Sequence, residues 1–278
     1  MQPLPPVDTV PLFEPLLEEL LPLLRSLDAA DWERPTLAGR WRVHDVAAHL
    51  LDGDLRRLSA ARDGHALAPG ARVEGHADLV RLIDGLNAQG VQYGRRLSPR
   101  LLIDLLEITG RWVAAHVAAL PPHGEAHFPV AWAGEARSEN WMDVGREYTE
   151  RWHHQMQIRD AVGAPLLLEP RWLVPVLELS VRAFPRAYAG VVAPEGTSVA
   201  FEVAGVPGGV WTTRMERDGW RVHRGREGVA HATVRLTPDE GWRLLYNALP
   251  AERARETLAI EGDLALAEPL LRARSVMV

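Results

Sequence analysis

Glu150 and His154 stand four residues apart in the run Tyr148-Thr149-Glu150-Arg151-Trp152-His153-His154. In a helix that spacing places a carboxylate and an imidazole on one face, one turn apart. His49, far upstream on a second predicted helix, is a third group of the same chemistry. Two imidazoles and a carboxylate projecting from two helices would make an open metal site. Zinc accepts imidazole nitrogen and carboxylate oxygen, and a catalytic site keeps three protein ligands and one free position. The same donor set also suits Fe(II), and ligand type alone does not separate the two, nor nickel. His153 competes with His154, since Glu150 and His153 form an i,i+3 pair. One helix cannot aim two adjacent histidines at one ion, and the i,i+4 spacing favours His154.

The segment around Glu150 carries two stripes. Asp143, Glu147, Glu150, His154 and Gln157 follow one another at steps of 4, 3, 4 and 3, beside an apolar line of Trp141, Val144, Tyr148, Trp152 and Met156. Taken alone, the polar line reads as the solvated face of a surface helix. Upstream, Asp45, His49 and Asp52 repeat the pattern beside Val46 and Leu50. His49 is flanked by Ala47, Ala48, Leu50 and Leu51, which is an apolar address for a histidine. A buried histidine satisfied by a backbone carbonyl is the competing explanation. Asp45 could orient a ligand, but its place one turn before His49 better suits the N-terminal end of a helix. Arg146 could bind an anionic group, although an arginine on a helix flank is more often solvated or ion-paired.

Composition narrows the chemistry. The 278 residues contain no cysteine, which excludes disulfides, thiolate zinc sites, iron–sulfur clusters and a cysteine nucleophile. They also contain no lysine, so all 31 Lys+Arg residues are arginine. Schiff-base catalysis, a pyridoxal phosphate anchor and a P-loop lysine are excluded with it. The formal charge is −6, and the arginines are interspersed with acids, so no basic face for nucleic acid is visible. No apolar run approaches the roughly 18 residues of a membrane span. The opening MQPLPPVDTV lacks a basic n-region and an apolar h-region, so a cytoplasmic protein is expected.

A chain of this length predicts two domains. Residues 1–166 read as helical. Predicted helices run over Leu12–Leu27 with Pro22 inside, over Val43–Asp63, over a third region from Asp78 to Leu120, and over Trp141–Val162. The third region reads as Asp78–Arg96 and Ser98–Leu120, or as one bent element. The Gly/Pro-containing stretch from Gly64 to Gly75 ends the second helix, and Gly163 closes the fourth. Four helices with one long connection fit an antiparallel bundle. Residues 167–278 change character. A helical Arg171–Ala189 precedes β-like runs at Ser198–Ala204, Val210–Arg217, Trp220–Arg224 and Ala232–Leu236. Asp218-Gly219 marks a hairpin. Thr237-Pro238-Asp239-Glu240 opens a helix to about Leu249, and Leu264–Ala273 is the last. This half reads as a small antiparallel sheet covered by helices, so the fold class is α+β.

Two segments resemble a known family. Trp41-Arg-Val-His-Asp-Val-Ala-Ala-His49-Leu is similar to the second helix of the DinB-like / mycothiol-dependent maleylpyruvate isomerase N-terminal domains. Glu150-Arg-Trp-His-His154-Gln-Met-Gln-Ile-Arg-Asp-Ala-Val-Gly163 is similar to their fourth. Ala230-His-Ala-Thr-Val-Arg and Ile260-Glu-Gly-Asp263 resemble their sterol-carrier-like C-terminal domain. The resemblance implies a DinB-like four-helix bundle over 1–166, followed over 167–278 by a sterol-carrier-like α/β sandwich. It implies His49, Glu150 and His154 as ligands of a divalent metal, most often zinc, and selects His154 over His153. Gln157 stands where the family usually has Asp, which would alter the surroundings of the site without removing a ligand.

The resemblance further implies a low-molecular-weight thiol, mycothiol or bacillithiol, as cosubstrate. The expected function is therefore metal-dependent S-transfer to, or isomerisation of, a small electrophilic substrate. A chain without cysteine is compatible with an imported thiol. Two other readings stay open. One is a metal-dependent hydrolase that activates water. The other is a non-catalytic binding protein in which Trp211, Trp220 and Trp242 line an apolar pocket, although such residues are more often core. The expected partners are a small-molecule substrate and the thiol, with neither nucleic acid nor membrane, and homodimer formation is left open.

Overall fold

The computed structural model describes residues 1–65 and 74–275. The chain forms two compact units, Asp8–His127 with Glu139–Leu166, and Met1–Val7 with Phe128–Ser138 and Leu167–Val278. No helix among the described residues is long and apolar enough to cross a membrane.

The first unit contains α1 (Phe13–Ser26), α2 (Ala29–Trp32), α3 (Val43–Arg57), α4 (His76–Gly94), α5 (Pro99–Ala118) and α6 (Asn140–Val162). Four of these close a ring: α1 packs on α5, α5 on α3, α3 on α6, and α6 on α1. Apolar side chains at helical spacing drive the closure. Phe13, Leu16, Leu17, Leu20, Leu21 and Leu24 form the buried stripe of α1, which runs through Pro22 without a break. Val43, Val46, Ala47, Leu50 and Leu51 on α3 join Leu102, Ile103 and Leu106 of α5 in the same core.

The expected third helical region is two helices. The Ser98 hydroxyl accepts from the Leu101 N–H at 3.3 Å, and Pro99 takes the first helical position, so a new helix starts there rather than a bend. α4 packs on α3, and two glycines permit the close approach. A Cβ on Gly94 would lie 2.4 Å from the Ala48 Cβ, and one on Gly90 would lie 2.2 Å from the Asp52 carboxyl carbon. α3 continues into one π-helical turn, Leu58–Arg62, closed by the Asp63 N–H on the Leu58 carbonyl at 3.0 Å. The Gly/Pro-containing stretch expected to end it lies largely outside the described residues.

In the second unit α7 (Pro170–Ser180), α8 (Phe184–Ala187), α9 (Pro238–Leu245), α10 (Ala251–Thr257) and α11 (Leu264–Arg272) accompany a six-stranded sheet. Its strands are β1 (Gln2–Pro3), β2 (Ser198–Val203), β3 (Val210–Glu216), β4 (Gly219–Arg224), β5 (Ala232–Leu236) and β6 (Ala259–Gly262), in the order β1-β4-β3-β2-β5-β6. The β3–β4 hairpin turns at Arg217-Asp218, and Gly219 follows at φ +121°, a conformation that favours glycine. The two edge strands and α10 are additions to the expected elements, and all three are too short to show a period. The expected sheet is antiparallel. The structure contains one parallel pair, β2 with β5, because residues 225–231 carry the chain from β4 past β3 and β2 to the other side of the sheet. Trp211, Trp220 and Trp242 are buried, and their indole N–H groups donate to Glu178, the Val191 carbonyl and Asp239. They are core, with polar ends satisfied, rather than the lining of a pocket. The protein is therefore α+β, with one helical unit and one unit built on a mostly antiparallel sheet.

The Gly94 contact generates a test. Gly94→Ala forces a methyl against Ala48 and is expected to destabilise the protein by about 1–3 kcal/mol in urea unfolding. Ala48→Gly in the same chain should recover most of that loss. A Gly94→Ala protein as stable as the parent would show that the two helices are not held at this separation.

Candidate metal centre

His49 is seven residues into α3, and Glu150 and His154 lie on successive turns of α6. α3 and α6 are neighbours in the ring, and the three side chains converge. His49 Nε2 lies 3.3 Å from Glu150 Oε1, and His154 Nε2 lies 3.1 Å from the same oxygen. One ligand atom from each residue falls within 4.8 Å of the other two. Donor atoms held at 2.0–2.1 Å by a tetrahedral ion sit about 3.3 Å apart, so both measured separations fit such a set. The histidines are buried, whereas the Glu150 side chain keeps 35% of its exposure and marks the open side.

His154 is held from behind. Its Nδ1 donates to the Gln157 amide oxygen at 2.8 Å, which leaves Nε2 facing Glu150. The residue that departs from the expected Asp thus still orients the ring, as a neutral acceptor. The Trp41 ring packs 4.9 Å from the His49 ring and 6.3 Å from that of His154. His153 is not one of the converging three, although its Nδ1 lies 3.9 Å from Glu150 Oε2. Its Nδ1 donates to the Thr149 carbonyl at 3.1 Å, and its ring stacks 4.0 Å from His154. It is a buried histidine satisfied by a backbone carbonyl, the arrangement that competes with metal ligation for His49.

Electrostatics follow the burial. Burial and then the neighbouring His154 push the His49 imidazole down. The same two causes, in the same order, push His153 down to about 3. Burial works to raise the Glu150 carboxyl, but the hydrogen bonds from His154 and His49 hold it well below the usual range.

Apart from Glu150, the polar stripe of α6 does not face solvent. Asp143, Glu147, His154 and Gln157 are all buried, and so is the apolar stripe from Val144 through Met156. Asp143 and Glu147 meet Arg57 of α3, an ion pair that the sequence reading missed. An arginine near the end of an amphipathic helix reads as surface, and no periodicity signals that it points inward. Arg146 pairs with Asp143 at 2.8 Å, as an ion-paired flank residue does. Asp45 accepts the Arg42 N–H at 3.2 Å at the start of α3 and pairs with Arg95, so it serves the helix end.

Residues 13–159 match the family model for the mycothiol maleylpyruvate isomerase N-terminal domain. The chain belongs to that family. Among solved structures it is similar to the crystal structure of a mycothiol-dependent maleylpyruvate isomerase. That likeness has a TM-score of 0.57 and 14% identity, and covers 95% of this chain and 98% of that one. A histidine-to-alanine mutant of the same isomerase is similar with a TM-score of 0.54, 14% identity and the same coverage. At this identity the likeness speaks for the fold. No curated protein matches the sequence.

The buried neutral imidazoles make stability depend on pH. Between pH 6.5 and about 3 the unfolded chain binds a proton at His153 that the folded chain refuses. Stability is therefore full above pH 6.5 and falls as pH drops, by up to about 1.4 kcal/mol per pH unit for each such histidine. Melting of chelator-treated protein from pH 7.5 to 5 is expected to show this decline, with a shallower slope in His153→Phe. A pH-independent melting temperature across that range would contradict the buried neutral state.

Proposed function

We propose that this protein is a metal-dependent enzyme that uses a low-molecular-weight thiol, mycothiol or bacillithiol, for S-transfer to or isomerisation of a small electrophilic substrate. The observation that carries this reading is the convergence of His49, Glu150 and His154 in a chain of the mycothiol maleylpyruvate isomerase family. In this reading the two Nε2 atoms and the Glu150 carboxylate hold a divalent ion, with zinc taken from the family resemblance because the donors suit it without singling it out. A bound divalent ion acidifies a coordinating thiol and so makes the thiolate nucleophile available near neutral pH.

The chain's own residues prepare that position. Gln157 holds the His154 ring through Nδ1, so Nε2 is the atom it would offer to an ion. Trp41 covers the imidazoles on one side and restricts water there. The part-exposed Glu150 leaves the approach open to thiol and substrate. The chain supplies no thiol of its own, so the nucleophile enters from solution. The solved isomerase of the same fold is described as mycothiol-dependent, and mycothiol with maleylpyruvate is the first pair to assay. We place the reaction in the cytoplasm, where such thiols stay reduced.

Metal analysis of the purified, reconstituted protein should find one divalent ion per chain. His49→Ala should weaken binding by more than the roughly 10–100-fold that loss of an outer partner costs. Thiol consumption with mycothiol, bacillithiol and glutathione against a panel of electrophiles, maleylpyruvate included, should require the loaded protein. A wild-type chain that stays metal-free after reconstitution would overturn this function. Metal-dependent turnover without thiol would point to hydrolysis instead.

A further inference from the structure

Between the two helices that carry the three converging side chains runs a buried line of alternating charge. Arg57 of α3 grips Asp143 with both terminal nitrogens, at 3.1 and 3.0 Å, and its Nε reaches Glu147 at 2.9 Å. The other oxygen of Glu147 lies 3.2 Å from Arg151, and Arg151 also pairs with Asp54 of α3. Asp54 in turn accepts the Thr109 hydroxyl of α5 at 2.6 Å. Arg57, Asp54 and Asp143 retain 3%, 1% and 1% of their exposure. Three arginines, counting Arg146, balance three carboxylates.

The line and the ligands are carried by the same two helices: Arg151 follows Glu150 on α6, and Asp54 lies five residues beyond His49 on α3. Burying ions on this scale is a poor route to stability, because desolvation offsets most of the attraction. It is an effective route to register. The apolar seam between α3 and α6 tolerates small slides, whereas a guanidinium fork bonded to two carboxylates accepts one alignment.

On the reading of His49, Glu150 and His154 as metal ligands, we infer that the Asp54–Arg151–Glu147–Arg57–Asp143 line is a register lock. It sets how far along α6 the α3 helix stands, and so holds His49 opposite Glu150 and His154. Arg151 and Asp54 are positioning residues: they touch neither metal nor substrate and act through the helices that carry the ligands. Arg151 is central, because it alone joins Glu147 to Asp54 immediately beside a ligand.

The test uses the full-length protein and measures zinc affinity by chelator competition, together with the visible spectrum of the Co(II) form. The double variant Asp54→Leu/Arg151→Met removes the pair without leaving a buried charge unpaired, so its melting temperature should stay near the parent's. Its zinc affinity should fall at least about 10-fold, the scale of losing an orienting group, and its Co(II) spectrum should change. Arg151→Lys keeps the charge but loses the fork, and should fall between the two; it decides the matter if the double variant does not fold. Folded variants that bind zinc as tightly as the parent, with an unchanged Co(II) spectrum, would overturn the lock while leaving the ligand assignment intact. A parent that binds no metal would instead overturn the ligand assignment.

Discussion

An arginine or carboxylate taken out of water must meet its counter-charge, and the seam between α3 and α6 is built around that requirement. Arg57 and Arg151 are enclosed with Asp143, Glu147 and Asp54, and each arginine is shared between two carboxylates. The balance shows in the acids. Burial works to raise all three, but the arginines hold Asp143 and Glu147 below their usual range, while burial prevails at Asp54. Once these groups are enclosed, the two helices cannot slide past one another without breaking several directed contacts at once.

The candidate metal centre inherits that rigidity. His49 comes from one helix, Glu150 and His154 from the other, and no chain segment shorter than the loops and helices between them ties the two together. The 3.3 Å between His49 and Glu150 is therefore a property of the α3–α6 pairing, whereas the 3.1 Å between His154 and Glu150 is set within α6. Local groups then refine the aim, Gln157 through the back of the His154 ring and Trp41 over the imidazole faces. The close packing of Gly94 on Ala48 steadies α3 from its other flank, one residue before His49.

The same burial explains why α6 is hard to read. Its polar residues repeat at helical spacing, and a polar stripe is ordinarily wet. Here both stripes are enclosed except at Trp141 and Glu150, the apolar one by neighbouring side chains and the polar one by arginines of α3 and α6 and by the convergence of ligands. The i,i+4 spacing of Glu150 and His154 was legible, and so was the apolar setting of His49. The partnership of Arg57 with Asp143 and Glu147 was not, since residues so distant in sequence carry no mutual signal.

The sequence by itself determined the helix stripes, the caps at Ser98 and Thr237, the stop at Gly163 and four strands of the sheet, because each depends on neighbours within a few residues. It also determined which chemistry was absent, since a chain without cysteine or lysine excludes whole mechanisms. The parallel β2–β5 pair and the inward turn of the α6 polar stripe were decided only in three dimensions. So was the fate of the adjacent histidines: His154 meets Glu150 and Gln157, while His153 bonds to the Thr149 carbonyl. Local propensity fixes where a helix begins and which side chains share a face. Which face is enclosed, and by what charge, depends on residues that only folding brings together.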